Sequence, residues 1–393
     1  MAILIGTAAN DTMTDVSTDA FSTLNANWSG GDDTMSGGEG NDTYNVNSVG
    51  DVVTEAADEG TDTVVSRLAN YALGANVENL TLDSAAPLIA LNGSGNAMDN
   101  VIVGNGANNT LNGAAGNDTL IGGNGNDTLQ GGTGDDTLNG GDGIDTLNGG
   151  DGDDEGEGGN GNDTMNGGAG NDMLMGDNGA DTINGDAGND RLDGGNGADI
   201  LNGGSGNDVV NGGNGVDRMV GESGNDIMNG GGGQDTMFGG TGNDRLNGGN
   251  GDDVLGGSQG NDVLSGGEGN DRFVFAFRGV ANADTISDFI SADDDIALAN
   301  LLDNGLPGAV SPGVLGLSFV GGAVDSNPLA AASFFSGSGL TGSAAGAATG
   351  IYVNTNTGQI YYNPTTAAGS ELLGQVSVSA AGTLSASDFI YSD

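Results

Sequence analysis

The chain has 393 residues, 55 of them acidic and six basic, for a formal charge of −49; glycine contributes 81 residues, and there is no His, Cys or Lys. These absences exclude Ser-His and Cys-His nucleophiles, an ordinary zinc site, a lysine-bearing phosphate loop and a Schiff base. The charge also excludes nucleic acid and anionic membranes as partners. Carboxylate is the group that remains in quantity, and hard oxygen ligands favour Ca²⁺ or Mg²⁺.

Residues 1–42 carry scattered copies of one short pattern. Asn10-Asp11-Thr12-Met13 is one, and Gly30–Met35 and Gly37–Tyr44 are two more, with Asp33 and Asp42 at the acidic place. The start, Met1 to Gly6, has neither the basic region nor the apolar length of a secretory signal. No stretch approaches the roughly 20 apolar residues of a membrane helix.

Residues 43–112 change character. Val52–Thr54, Thr63–Val65, Asn79–Leu82 and Val101–Val103 are short β-branched runs between turn residues and predict strands. From Asn96 the pattern returns in degenerate form, with Asn100 and Asn109 where an aspartate belongs.

From 113 to 274 the pattern becomes eighteen consecutive nine-residue units without insertion. Glycine holds place four. Aspartate holds place six, at Asp118, Asp127, Asp136, Asp145, Asp154, Asp163, Asp172, Asp181, Asp190, Asp199, Asp208, Asp217, Asp226, Asp235, Asp244, Asp253, Asp262 and Asp271. A period this strict predicts a stack in which each unit is one rung. Acidity with few aromatics argues for disorder when no counter-ion is present, and the fixed phase argues for order when one is.

Within a unit such as Gly122–Gln130, the first six places read as a turn and the last three as a strand. Place eight is apolar from Leu120 to Phe273 and forms the predicted core; only Gly156 departs, which predicts a local packing defect. Place-seven side chains face outward. Arg191, Arg218, Arg245 and Arg272 occupy that place at a spacing of 27, an arginine row read as charge relief on an acidic surface. One unit cannot bury its single apolar side chain, so two units make an 18-residue coil with a thin core between two parallel sheets. Asp118 then lies near Asp136, and Asp127 near Asp145. Like charges stacked on so thin a core predict a requirement for cations. Ca²⁺ between successive turns would draw on place-six carboxylates and loop carbonyls, with about 16 such sites along the array.

Residues 275–393 are richer in apolar residues. Asp284–Ile290, Leu317–Val320, Ile351–Val353, Ile360–Tyr362 and Val376–Val378 predict a β-rich terminal segment. Thr355–Gly358 reads as a hairpin turn, and Ala330–Gly350 as a loop.

The array resembles the RTX family, whose Gly-Gly-x-Gly-x-Asp-x-apolar-x nonapeptide builds a Ca²⁺-binding β-roll. The resemblance implies an all-β, right-handed parallel β-roll with a β-rich C-terminal cap. It also implies multiple Ca²⁺ ions on the place-six aspartates, with Asp33 and Asp42 included. Asn270–Phe275 followed by Asp284–Phe289 is similar to the cap that closes RTX arrays. Ser387–Asp393 is similar to the uncleaved signal of type I secretion, which implies export from a Gram-negative cell to its surface or surroundings.

The chain departs from the toxins and proteases of that family. The missing His excludes the zinc protease, the missing Lys excludes the acylated-lysine toxins, and the sequence shows no passenger domain ahead of the array. The expected function is therefore structural: a secreted protein that folds on Ca²⁺ and assembles with its own copies into a layer, filament or matrix. The alternative is an adhesin that binds cell-surface or matrix polysaccharide; Trp28, Tyr352, Tyr361 and Tyr362 could stack on sugar, but they read first as core or strand-pairing aromatics. The paired acids Asp153-Asp154 and Asp293-Asp294-Asp295 give little basis for a polysaccharide-active enzyme, because the array explains the first pair and the second set reads as a solvated turn. The chain is read as a non-enzyme; a passive Ca²⁺ buffer is the remaining alternative.

Overall fold

The computed structural model describes residues 2–5, 11–14, 22–25, 31–83, 89–276, 281–299, 329, 334–337, 340, 350–363, 371–376 and 378–392. They belong to two compact units, Met1–Ala187 and Gly188–Asp393. Each is a parallel β-solenoid, as the nine-residue period requires.

In the first unit, strands alternate between two faces and pair in parallel with strands one coil away; one face is a continuous sheet, the other a three-stranded sheet of Thr12–Thr14, Thr34–Ser36 and Val52–Val53 followed by a second sheet that starts at Asn70–Ala72. In the array the coil is 18 residues: Thr119 pairs with Thr137 and Thr128 with Thr146. Leu111, Leu120, Leu129, Leu138 and Leu147 are buried along the inner face.

The strands are longer than expected. Thr119–Asn124 and Thr128–Thr133 have six residues each, joining places seven to nine of one unit to places one to three of the next. The turn shrinks to three residues, such as Gly125-Asn126-Asp127. A positive φ at place two makes this possible, held by glycine in most units and by Ala114, Asp177, Asp186, Glu222 and Ser258 in others. Gly123, Gly132 and Gly141 hold φ of 107°, 122° and 101°, a region open to glycine. The backbone bends there and the ladder continues through Asn124 and Asp142.

Upstream coils keep the same core column while their length varies. Leu24 pairs with Tyr44, Tyr44 with Val64, Val64 with Leu80, Leu80 with Ile102 and Ile102 with Leu120. Most of the strands expected in 43–112 are present, as Val52–Val53, Thr63–Ser66, Asn79–Leu82 and Val101–Val103.

The packing defect expected at Gly156 is not found. A Cβ there would lie 2.9 Å from both Leu174 Cδ2 and Met165 Cε, so neighbouring side chains already fill the space.

In the second unit the 18-residue register continues, with Leu192 opposite Val210 and Met228 opposite Leu246. The expected arginine row is split. A spacing of 27 is one and a half coils, so Arg191 and Arg245 fall on one sheet and Arg218 and Arg272 on the other.

The cap extends both sheets. Val263 pairs with Thr285, Arg272 with Asp295 and Ile296 with Phe389. The C-terminal strand Phe389–Ser392 is therefore part of the solenoid, with Phe389 and Ile390 buried. Gly350–Asn354 and Gln359–Asn363 form the expected hairpin across Thr355–Gly358, closed by the Gly358 amide donating to Asn354 O at 2.8 Å.

Two cap expectations are corrected. Within 330–350, read as a loop, Phe334–Gly337 is a strand parallel to Gly350–Asn354, and the Phe334 ring packs 5.6 Å from that of Phe389. The strand placed at Val376–Val378 is Glu371–Gln375 instead, and Val378–Thr383 is a short helix. Ala380, Ala381 and Leu384 are buried, a helical spacing that the Val-Ser-Val alternation obscured. The run 317–320 and Trp28 lie outside the described residues.

Candidate metal centre

Each array aspartate ends its three-residue turn and folds inward over the place-one glycine of its own unit. A Cβ at Gly122 would collide with the Asp127 carboxylate, and one at Gly131 with that of Asp136. The glycine thus creates the space the carboxylate occupies. All eighteen place-six aspartates, Asp118 to Asp271, are buried, none exposed by more than 3%.

The two carboxylate oxygens differ. Oδ1 accepts a hydrogen bond from the backbone N–H of the aspartate one coil earlier. Asp118 N donates to Asp136 Oδ1 at 2.7 Å, Asp127 N to Asp145 Oδ1 at 2.6 Å and Asp136 N to Asp154 Oδ1 at 2.8 Å. The second unit repeats this from Asp208 to Asp226 and from Asp226 to Asp244, both at 2.9 Å. Oδ2 is buried without a hydrogen-bond partner on Asp118, Asp127, Asp136, Asp145, Asp154 and Asp163, and on every array aspartate from Asp208 to Asp271. A buried, unpaired carboxylate oxygen is costly unless a cation meets it.

The electrostatics agree. Burial, reinforced by the aspartates one coil away, pushes Asp118, Asp145, Asp217 and Asp253 up to about 6, and Asp154 and Asp244 up to about 7. A column of buried acids that resist ionisation together is suited to a hard divalent cation.

Asn100 and Asn109 supply an internal comparison. Asn100 Nδ2 donates to the carbonyls of Val77 and Glu78 at 3.2 and 3.1 Å, and its Oδ1 accepts from Asn96 N at 2.7 Å. Asn109 Nδ2 donates to Leu91 O and to Asn105 Oδ1. Where the amide replaces the carboxylate, the protein supplies its own donor and no buried side-chain oxygen is left over.

Asp33 and Asp42 sit as their sequence pattern predicted. Asp33 Oδ1 accepts from Asp11 N at 2.7 Å and Asp42 Oδ1 from Ser22 N at 2.6 Å. Other members were missed. Asp51 and Asp62 accept from Asp33 N and Asp42 N, and Glu78 accepts from Asp62 N. In the cap, Asp284 accepts from Asp262 N and Asp294 from Asp271 N, at spacings of 22 and 23 residues. The available signal was an acid just before a short apolar strand, as in Asp62-Thr-Val-Val and Asp284-Thr-Ile. The nine-residue ruler passes over it once the coil length changes. Asp294 is buried, which corrects the solvated turn expected at 293–295.

The three tyrosines take the core and strand-pairing places expected of them. Tyr352 and Tyr362 are buried in the cap, and the Tyr361 hydroxyl donates to Gln359 Oε1 at 2.9 Å. They pack or pair locally and offer no open platform. Among the described residues, no helix is long and apolar enough to cross a membrane.

The profile of the RTX calcium-binding nonapeptide repeat (4 copies) matches residues 29–53 and overlapping segments that together span 94–273. No curated protein matches the chain.

Proposed function

Given that the chain belongs to the RTX calcium-binding nonapeptide repeat family, we propose that it is a secreted structural protein whose β-roll folds on Ca²⁺ outside the cell and assembles with further copies into an extracellular layer, filament or matrix. Ca²⁺ binding itself follows from the family. The ligands we propose are the eighteen place-six aspartates with Asp33 and Asp42, several ions being held along 113–274 while 275–393 closes the array.

The observation that carries this reading is the row of buried, unpartnered Oδ2 atoms in each unit, from Asp118 to Asp163 and from Asp208 to Asp271. There Oδ1 ties the turn to the previous coil, and Oδ2 is left for a cation. Bound Ca²⁺ would supply the positive charge that the column lacks. With low Ca²⁺ the repelling column holds the chain open, a state compatible with export. With Ca²⁺ outside, the coils close.

Support for assembly comes from the surface. Surface carboxylates such as Asp135, Asp142, Asp151 and Asp153 are exposed, and a charge of −49 keeps copies apart until divalent cations bridge them. The family's members are typically structural or binding proteins, which supports a role without catalysis.

The test is electron microscopy and circular dichroism of purified protein, with Ca²⁺ and with chelator. The expected result is β-structure and ordered assemblies with Ca²⁺, and neither with chelator. Monodisperse monomers at millimolar Ca²⁺ and high protein concentration would remove the assembly claim. Spectra that ignore Ca²⁺ would remove the folding claim.

A further inference from the structure

A second kind of acidic site stands in the first unit, partly outside the residues the repeat profile matches. Asp42, Glu55 and Asp62 are all buried, and each can offer one carboxylate oxygen such that the three lie within 4.8 Å of one another. Two oxygens about 2.3–2.6 Å from one Ca²⁺ ion can stand up to about 5 Å apart, so a separation within 4.8 Å lets one ion touch all three.

The neighbourhood is built for a ligand. Glu55 Oε1 accepts from Gly37 N at 3.2 Å, and Asp62 Oδ1 from Asp42 N at 2.8 Å. Glu55 Oε2 is buried with no partner, and so is the hydroxyl of Tyr44, a residue with no exposed surface. A Cβ at Gly37 would collide with both the Tyr44 hydroxyl and the Asp42 carboxylate. A glycine at 37 therefore keeps open the space into which both groups point. Glu55 follows the short strand Val52–Val53 and has no counterpart in the nonapeptide.

We propose that Asp42, Glu55 and Asp62 form a distinct three-carboxylate site for one divalent cation, with Tyr44 beside it, that loads ahead of the array. Each rung of the array offers its carboxylates by pairs, whereas this site brings together three, and affinity for Ca²⁺ rises with ligand charge. The first ion bound would fix the upstream coils on which the later rungs stack.

Tyr44 makes the site observable, because residues 113–274 contain neither Tyr nor Trp. The experiment is a Tb³⁺ titration of the full chain, read as tyrosine-sensitised emission, with circular dichroism in Ca²⁺ as a separate readout. Wild type is expected to show emission that saturates within the first equivalent. Glu55→Gln is expected to weaken that first event by about tenfold or more while the Ca²⁺-dependent β signal of the array persists. Tyr44→Phe is expected to bind but lose the emission, and it decides the matter if Glu55→Gln fails to fold. Emission that survives Tyr44→Phe overturns the proposal, as does first-equivalent affinity unchanged in a folded Glu55→Gln. An array that ignores Ca²⁺ beside intact sensitised emission would sink the array reading and leave this one standing.

Discussion

The proposed division of labour between the two carboxylate oxygens is best tested at Asp244. Its Oδ1 accepts from Asp226 N at 2.9 Å, its own N–H donates to Asp262 Oδ1 at 2.8 Å, and its Oδ2 is buried without a partner. Burial, with Asp262 and Asp226 nearby, raises it from 3.8 to about 7. Asp244→Asn should act with opposite sign in the two states. In the metal-free coil, wild type ionises a group raised by about three units, a cost on the order of 4 kcal/mol near pH 7.5, and the amide escapes it. An amide nitrogen left without an acceptor takes back about 1–3 kcal/mol, so the metal-free gain is on the order of 1–3 kcal/mol. With Ca²⁺ the variant loses a carboxylate shared by the rungs on either side. Each site contributes about 1.4 kcal/mol at ten times Kd and about 2.7 at a hundred times, so a loss of about 3–5 kcal/mol is expected. The assay pairs the Ca²⁺ midpoint of folding by circular dichroism with stoichiometry by calorimetry. The variant should keep more β-structure in chelator, need more Ca²⁺ to fold fully, and bind fewer ions. If Asp244→Asn is less structured than wild type in chelator, or folds at the same Ca²⁺ with the same stoichiometry, the reasoning fails.

Asn109→Asp should do the reverse: losing the amide bonds to Leu91 O and Asn105 Oδ1 costs the metal-free coil about 1–3 kcal/mol, and one more Ca²⁺ should appear in calorimetry. Stability in chelator should fall as pH rises. The folded-state values of about 6 for Asp118, Asp145, Asp217 and Asp253 and about 7 for Asp154 and Asp244 lie above the ordinary 3.8. The folded chain therefore binds more protons than the unfolded one between about pH 4 and pH 7. Circular dichroism in chelator should show more β-structure at pH 5 than at pH 8, and the opposite order would refute this. Gly156→Leu, which would repair a cavity if one existed, should instead lower the melting temperature of the Ca²⁺-loaded protein through about 1–3 kcal/mol of overpacking, because Leu174 and Met165 already meet there; a raised melting temperature would show a void.

The solenoid was legible because its period and its core column are the same fact: residues 18 apart in sequence pair in space, and Leu120, Leu129 and Leu138 were readable as one apolar column. Strand length was less legible. Three places of each strand are glycine-rich, and composition marks them as turn, yet place-two glycine bends without leaving the ladder. The arginines form no single row, for a geometric reason that leaves charge relief on the acidic surface untouched. A spacing of three units looks regular in sequence but is an odd number of half-coils, which puts successive arginines on opposite sheets. The site was legible along 113–274, where the spacing held, and missed where it did not, at Asp62, Asp284 and Asp294; Asp51 was missed although it stands 18 residues after Asp33, because no Gly-x-Gly precedes it. The coils of 20, 22 or 23 residues place extra chain in the turns while the core partner is kept in space, as Tyr44 opposite Val64 shows.

The off-period acids show what the fold demands at each turn. Asp62, Asp284 and Asp294 keep the hydrogen bond from the backbone N–H one coil earlier although the residue count between coils differs. The requirement is therefore for a side-chain acceptor at that point in space, and the nine-residue spacing is only its usual consequence. Asn100 and Asn109 reach the earlier coil by donating Nδ2 to its carbonyls instead, so hydrogen bonding alone does not account for aspartate on every rung. Asn100 and Asn109 sit in the same place, satisfy all their atoms and leave nothing for a cation. Aspartate at the other eighteen positions gives up that self-sufficiency and carries a buried charge on each rung. On the function proposed above, an external cation neutralises this column, and Ca²⁺ is then what favours folding of residues 113–274 at neutral pH. The asparagine-bearing coils upstream carry no such charge at Asn100 and Asn109, and they lie between the proposed site at Asp42, Glu55 and Asp62 and the first rung of the array.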